Sequence, residues 1–164
     1  ECAWVIGENP AVTTLDAEEV ARDLDALDCL VVQELFPTET TARADVVLPA
    51  GAAAETDGTV TNLDRRVQRV RAAADPPGDA RRDWRIVADL GARLTGRDFD
   101  YESPADVFAE LARVAPPYAG MSYDAVSDGG CRWPFPAGAD EGVRVLHRER
   151  FANGQRRVTF SDAR

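Results

Sequence analysis

The sequence predicts an α/β fold: a parallel, Rossmann-like sheet flanked by helices, followed by a loop-rich C-terminal part. Three observations carry this. Residues 2–6 and 29–33 are short apolar runs of strand length. The stretch between them contains Asp16-Ala17-Glu18-Glu19, a helix-start pattern, and sets Val20, Leu24 and Leu27 at helical spacing. From Pro116 onward Pro and Gly are frequent and periodicity fades. Strand, helix, strand in that order is a βαβ unit, whose strands run parallel and whose crossover is right-handed.

The first strand, 2–6, ends at Gly7-Glu8-Asn9-Pro10, a turn. The helix is expected over 16–27, opened by Asp16. The second strand, 29–33, leads to a helical turn around 38–44 and to a third strand, 45–48, which stops at Pro49. Residues 50–64 are rich in Ala, Gly, Thr, Asn and Asp and are expected to be loop, with a short strand at 59–61. Val67, Arg69 and Val70 give 65–71 a strand-like alternation, and Pro76-Pro77-Gly78 is a turn. A helix is expected at 82–95, with Trp84, Val87, Leu90 and Leu94 on its apolar side. A second is expected at 104–114, with Ser103 as N-cap and Pro104 at the first helical position. Further strands are expected at 143–146 and 158–160, and no internal repeat is present.

Composition limits the function. The chain has 164 residues, 45% of them hydrophobic, enough to build a core. Its net charge of −10 argues against nucleic acid or an anionic membrane as partner, since both require a basic face. The apolar runs are far shorter than a membrane span. Lysine is absent, so all 19 basic residues are Arg, and the acids divide into 18 Asp and 11 Glu. This pattern resembles the proteins of an extreme halophile, and GC-rich coding is the simpler alternative for the missing Lys. Cys2, Cys29 and Cys131 match no metal-ligand spacing, and His147 is the only His. A triad, zinc site or cluster made by this chain alone is therefore not expected. No signal peptide is visible and the chain starts at Glu1 without Met, so an excised piece of a longer, cytoplasmic protein is expected.

In an open parallel sheet, ligands sit beyond the carboxyl ends of the strands. The Gly7–Pro10 turn and the Gln33-Glu34 pair fall on that edge. They admit a nucleotide pocket, but from these features alone an ordinary βα turn with polar residues is the favoured reading. The glycines do not form the G-x-G-x-x-G fingerprint, so a nicotinamide cofactor is not indicated. Arg65-Arg66 admits an anion site, but salt bridges to acids such as Asp57 or Asp64 are the expected use. Trp84 and Trp133 are expected as core anchors and His147 as a surface or packing residue.

A longer ordered string is more specific. It runs Gly7-Glu8-Asn9-Pro10, Val31 through Thr40 (VVQELFPTET), Ala44 through Pro49 (ADVVLP), Glu55-Thr56-Asp57-Gly58-Thr59, Thr61 through Gln68 (TNLDRRVQ) and Pro77 through Trp84 (PGDARRDW). Pro117 through Tyr123 and Trp133-Pro134-Phe135-Pro136 continue it. The set resembles the catalytic subunits of the molybdopterin oxidoreductases, most closely the formate dehydrogenase alpha subunit, over residues 3–160.

The resemblance implies a large molybdenum or tungsten enzyme. Its metal is held by two molybdopterin guanine dinucleotides, with a 4Fe–4S cluster nearby and electron-transfer subunits as partners. The catalytic and cluster ligands of the family lie outside this chain. Residues 1–115 correspond to the Rossmann-like part of the central domain. Residues 116–164 correspond to an extension toward a C-terminal cofactor-binding barrel. Carried over residue by residue, Asn9, Gln33, Glu34 and Asp83 match cofactor-contacting positions, with Thr13 as a further phosphate or ribose contact. A carboxylate at Asp83 suits guanine, which presents N1–H and N2–H side by side. The plainer role for Asp83 is capping the helix at Trp84, and for Glu34 that of a solvated edge acid. Two positions depart from the family: Thr56, where many relatives carry Lys, and Arg132, which replaces the usual Gln. An assimilatory nitrate reductase of the same superfamily is the alternative parent. The large iron–sulfur subunit of respiratory complex I is the alternative from a non-catalytic class.

Overall fold

A computed structural model describes residues 1–151 and 153–157. The chain packs as two compact units: Glu1–Gly58 with Val70–Val107, and Thr59–Arg69 with the described residues from Phe108 onward.

The first unit is built on three parallel strands, β1 (Cys2–Ile6), β2 (Cys29–Glu34) and β3 (Val46–Pro49), in the order β1-β2-β3. The central strand is the apolar one. Leu30 and Val32 on one side and Gln33 on the other are at most 1% exposed, so both faces of β2 are covered. The outer strands are more open, with Ile6, Val46 and Val47 each close to half exposed. The parallel βαβ order expected from the apolar runs is what the chain adopts.

Between β1 and β2 the chain forms α1 (Pro10–Thr13) and α2 (Ala17–Asp25). The single turn α1 is not foreseen in the sequence; Pro10 at its first position starts it. Asp16 precedes α2 as expected, but its side chain caps nothing, and only its carbonyl receives the first helical N–H groups. Val20, Leu24 and Leu27 form a half-buried stripe, so α2 is a surface helix.

Helix α3 (Asp83–Thr95) buries Ile86 and ends at Gly96, whose φ of 66° closes it in the left-handed conformation that glycine adopts freely. Helix α4 (Pro104–Val114) starts at the expected proline. The Ser103 hydroxyl donates to Asp106, which also accepts the N–H groups of Glu102 and Ser103. Strands β4 (Gly58–Thr61), β5 (Arg66–Val70) and β6 (Cys131–Arg132) form a second sheet in that order, with β6 antiparallel to β5.

The second unit has its own core of Val67, Phe108, Met121 and Val126, with Tyr118, Tyr123, Trp133 and Phe135 packed against it. Trp133 is thus an anchor, as expected. His147 stacks on Phe151 with ring centroids 4.9 Å apart.

Two expectations need correction. Residues 143–146 do not form a strand. The carbonyls of Val143 and Arg144 accept hydrogen bonds from the Arg65 guanidinium, which takes acceptors a neighbouring strand would need. Arg65 and Arg66 are structural, but they bind backbone carbonyls of residues 129–130, 133 and 143–144 rather than Asp57 or Asp64. Asp64 is taken by Arg132 at 2.8 Å. The strand expected at 158–160 lies outside the described residues. Among the described residues no helix is long and apolar enough to cross a membrane.

Candidate functional site

The carboxyl ends of the three parallel strands coincide, because Ile6 pairs with Gln33, Gln33 with Leu48, and Glu34 with Pro49. Backbone bonds extend this edge. Gly7 N–H donates to the Gln33 carbonyl at 2.9 Å, with Gly7 at a φ of 60° that turns the chain away from β1. Ala50 N–H donates to Glu34 at 3.1 Å. Arg81 N–H donates to Pro49 at 3.1 Å, and Gly51 N–H to Arg81 at 2.9 Å, which draws the start of α3 to the end of β3.

This brings Gln33 and Asp83 together. Gln33 Nε2–H donates to Asp83 Oδ1 at 2.5 Å, across fifty positions of sequence. Gln33 is fully buried, and its Oε1 has no partner among the described residues. Asp83 is half-buried and is the first residue of α3; Arg82 holds the cap position. Its carboxylate is therefore directed to Gln33 instead of capping the helix from outside. Glu34 stands one residue beyond Gln33 and accepts Leu35 N–H at 2.7 Å. Past it lies an apolar cleft of about 450 Å³ walled by Leu35, Phe36, Val47 and Pro49.

Asn9 and Thr13 belong to a second cluster on the β1–α1 turn. Asn9 Oδ1 accepts both the N–H and the hydroxyl of Thr40, at 3.2 and 2.7 Å, and Asn9 Nδ2–H donates to Glu39 at 2.8 Å. The buried Thr40 hydroxyl in turn accepts Ala11 N–H at 3.2 Å. Thr13 donates to Glu8 at 2.6 Å. The Thr13 hydroxyl and the Asn9 N–H hold the Glu8 carboxyl below its usual range, and the Asn9 amide does the same for Glu39. Glu8, Glu39 and Thr40 are absent from the sequence-derived set. The Thr-Glu-Thr-Thr run at 38–41 hints only at a turn.

Chemically, the Gln33–Asp83 pair is a set of acceptors. Asp83 Oδ2 and Gln33 Oε1 both lack donors among the described residues. Gln33 Oε1 is buried beneath the rim, so Asp83 Oδ2 is the acceptor a ligand N–H can reach, and a guanine edge offers such donors. A carboxylate oxygen of this kind is chemically suited to an N–H donor of a nucleotide base. No group of three or more His, Cys, Asp or Glu among the described residues could hold a metal ion.

Comparison with known proteins agrees with the motif string. The family model for molybdopterin oxidoreductase matches residues 1–93, which include β1 to β3 and most of α3. The chain is 47% identical over 148 residues to F420-dependent formate dehydrogenase 2 subunit alpha of Methanococcus maripaludis, covering 90% of this chain and 22% of that protein. It is 42% identical over 158 residues to F420-dependent formate dehydrogenase subunit alpha of Methanocaldococcus jannaschii, covering 94% of this chain and 24% of that protein. Formate dehydrogenase 1 subunit alpha of M. maripaludis, also F420-dependent, is 42% identical over 151 residues, 92% of this chain and 22% of its own length. The chain thus spans less than a quarter of the length of these relatives. With more than half of its residues inside the family model, and with the three-stranded parallel sheet that carries the motifs, the chain belongs to the molybdopterin oxidoreductase family.

Proposed function

We propose that the chain is part of a formate dehydrogenase alpha subunit, and that its parallel-sheet rim holds the nucleotide end of a molybdopterin guanine dinucleotide. The observation that carries the first half is identity of 42–47% to formate dehydrogenase alpha subunits over at least 90% of this chain. The Asp83 carboxylate, held by Gln33 through Oδ1 and with Oδ2 available at the rim, supports the second half.

In this reading Asp83 accepts guanine N–H groups. Glu34 borders the same edge, while Asn9 and Thr13 shape the turn after β1 near the phosphates or ribose. Residues 1–115 form the Rossmann-like part of the central domain, and 116–164 lead toward the C-terminal barrel. The parent carries molybdenum or tungsten on two such dinucleotides, a 4Fe–4S cluster bound elsewhere, and electron-transfer subunits. When bound, the cofactor supplies the redox chemistry that removes two electrons from formate. This chain's residues bind and orient, and the catalytic ligands belong to other parts of the parent. The exposed Leu35 and Phe36 beside the rim support a larger surrounding protein. The Lys-free, Asp-rich composition supports a halophilic source.

The test uses the full-length parent. Purified enzyme is expected to reduce a viologen dye with formate. Oxidation of reduced viologen by nitrate, with no formate activity, would assign the parent to the nitrate reductases instead.

A further inference from the structure

Gln33 is the least expected member of the rim. A residue that touches a ligand is normally accessible to it, yet Gln33 is 0% exposed. Its Nε2–H is committed to Asp83 Oδ1 at 2.5 Å, its backbone carbonyl to Gly7 N–H, and its neighbours in the sheet are Ile6 and Leu48. A buried amide that donates to a half-buried carboxylate fixes that carboxylate's rotation and stabilises its charged form through a charge-assisted hydrogen bond. Asp83 comes from a separate segment, and the backbone bonds at Pro49, Gly51 and Arg81 locate only its main chain.

We propose that Gln33 is a positioning residue: from inside the sheet it clamps Asp83 Oδ1, so that Oδ2 is presented to the nucleotide. This rests on the reading of Asp83 as the nucleotide contact and adds to it that Gln33 acts through Asp83 rather than on the ligand. The charged groups on the segments bonded to the pair include Glu8, Glu34, Glu55, Arg81, Arg82, and on the first turns of α3 Arg85 and Asp89; Arg85 is committed to the Tyr101 and Glu102 carbonyls. Arg81 is paired with Asp89, and Arg82 with Asp75 and the Glu55 carbonyl. Neither guanidinium substitutes for the amide as the partner of Asp83.

The experiment measures GDP binding to cofactor-free, full-length parent from a host unable to make molybdopterin, between about pH 5.5 and 8, a window set by the raised pKa of a carboxyl pair. Gln33→Leu should weaken binding roughly tenfold or more at every pH, because Asp83 loses its charge-assisted partner. Gln33→Glu is the discriminating variant. When protonated, the carboxyl that this variant introduces carries an O–H where the amide N–H stood; when ionised, it faces Asp83 as a like charge. Binding by Gln33→Glu, taken relative to wild type, should therefore fall roughly tenfold toward pH 8 and recover toward pH 5.5. A merely structural glutamine would not impose that profile. If Gln33→Glu tracks wild type across the window while Asp83→Ala loses binding, the positioning role is overturned and the nucleotide contact stands. If Asp83→Ala binds GDP as wild type does, the nucleotide reading itself fails. Should Gln33→Leu not fold, the relative pH profile of Gln33→Glu decides alone.

Discussion

At Asp83 the two carboxylate oxygens have different surroundings: Oδ1 is occupied by Gln33 and Oδ2 has no donor among the described residues. Replacing Asp83 by Ala in the full-length parent should cost about 1.5–3 kcal/mol of nucleotide binding, the worth of a hydrogen bond to a charged group. Asp83→Asn should be nearly as damaging. One amide oxygen can satisfy Gln33 or the guanine edge, and the amide nitrogen then faces a donor. Guanine nucleotide released per subunit at limiting cofactor is the measurement. Asn9 makes a different kind of contribution. Its amide ties the β1–α1 turn to Glu39 and Thr40, and Thr40 is fully buried. Asn9→Ala should destabilise the first unit by about 1–3 kcal/mol, because buried polar groups lose their partner; thermal denaturation reads this. The same cluster gives a pH dependence. Glu8 and Glu39 have lowered carboxyl pKa values, so their contribution is present above the ordinary glutamate range and is lost as pH falls through the lowered values. Amide-exchange protection at Ala11 and Thr40 should therefore drop on acidification below that range. In Asn9→Ala it should be low already and change little.

Among the elements, β2 was legible for a simple reason. A strand buried on both faces reads as an unbroken apolar run, and 29–32 is one. Helices α3 and α4 were equally clear as helices, from periodicity and from Pro104, but the apolar side expected of α3 is not the one it buries: Val87 and Leu94 are exposed and Ile86 is buried. The apparent strand at 143–146 was not clear, since alternating Val and Arg carries the same signal whether or not a neighbouring strand exists. There the close approach of Gly142 to Arg132 governs instead. A Cβ on Gly142 would lie 1.8 Å from the Arg132 carbonyl oxygen. Because that obstacle is backbone, Gly142→Ala should destabilise the second unit by about 1–3 kcal/mol or more, the usual cost of forced overpacking. Limited proteolysis should then cut near β6 sooner than in wild type. Phe108→Ala offers a core control at about 3–5 kcal/mol, since Phe108 is 3% exposed in the second unit's cluster.

For the whole molecule, the chain spans less than a quarter of the length of these relatives, and the share of the work proposed for it is the cofactor rim. The isolated chain is expected to show no iron–sulfur absorbance and no formate-dependent dye reduction. Its three cysteines lack cluster spacing, and no metal-holding group occurs among the described residues. Either signal would place redox ligands within this chain and overturn the division of labour. The α/β class, the parallel order of β1 and β2, the carboxyl-edge location of Gln33 and Glu34, and the family were determined by the sequence. Apolar runs, periodicity and ordered motifs are local signals, and local signals survive in one dimension. The tertiary structure alone decided that Thr59–Arg69 packs with the residues after Phe108, that Arg65 and Arg66 serve backbone carbonyls, and that Asn9 is tied to Thr40. It also decided that Gln33 is buried against Asp83 rather than open to a ligand. Each of these joins residues about thirty or more positions apart. Which donor meets which acceptor at that range is set by how the chain closes on itself, and residue types do not encode that pairing.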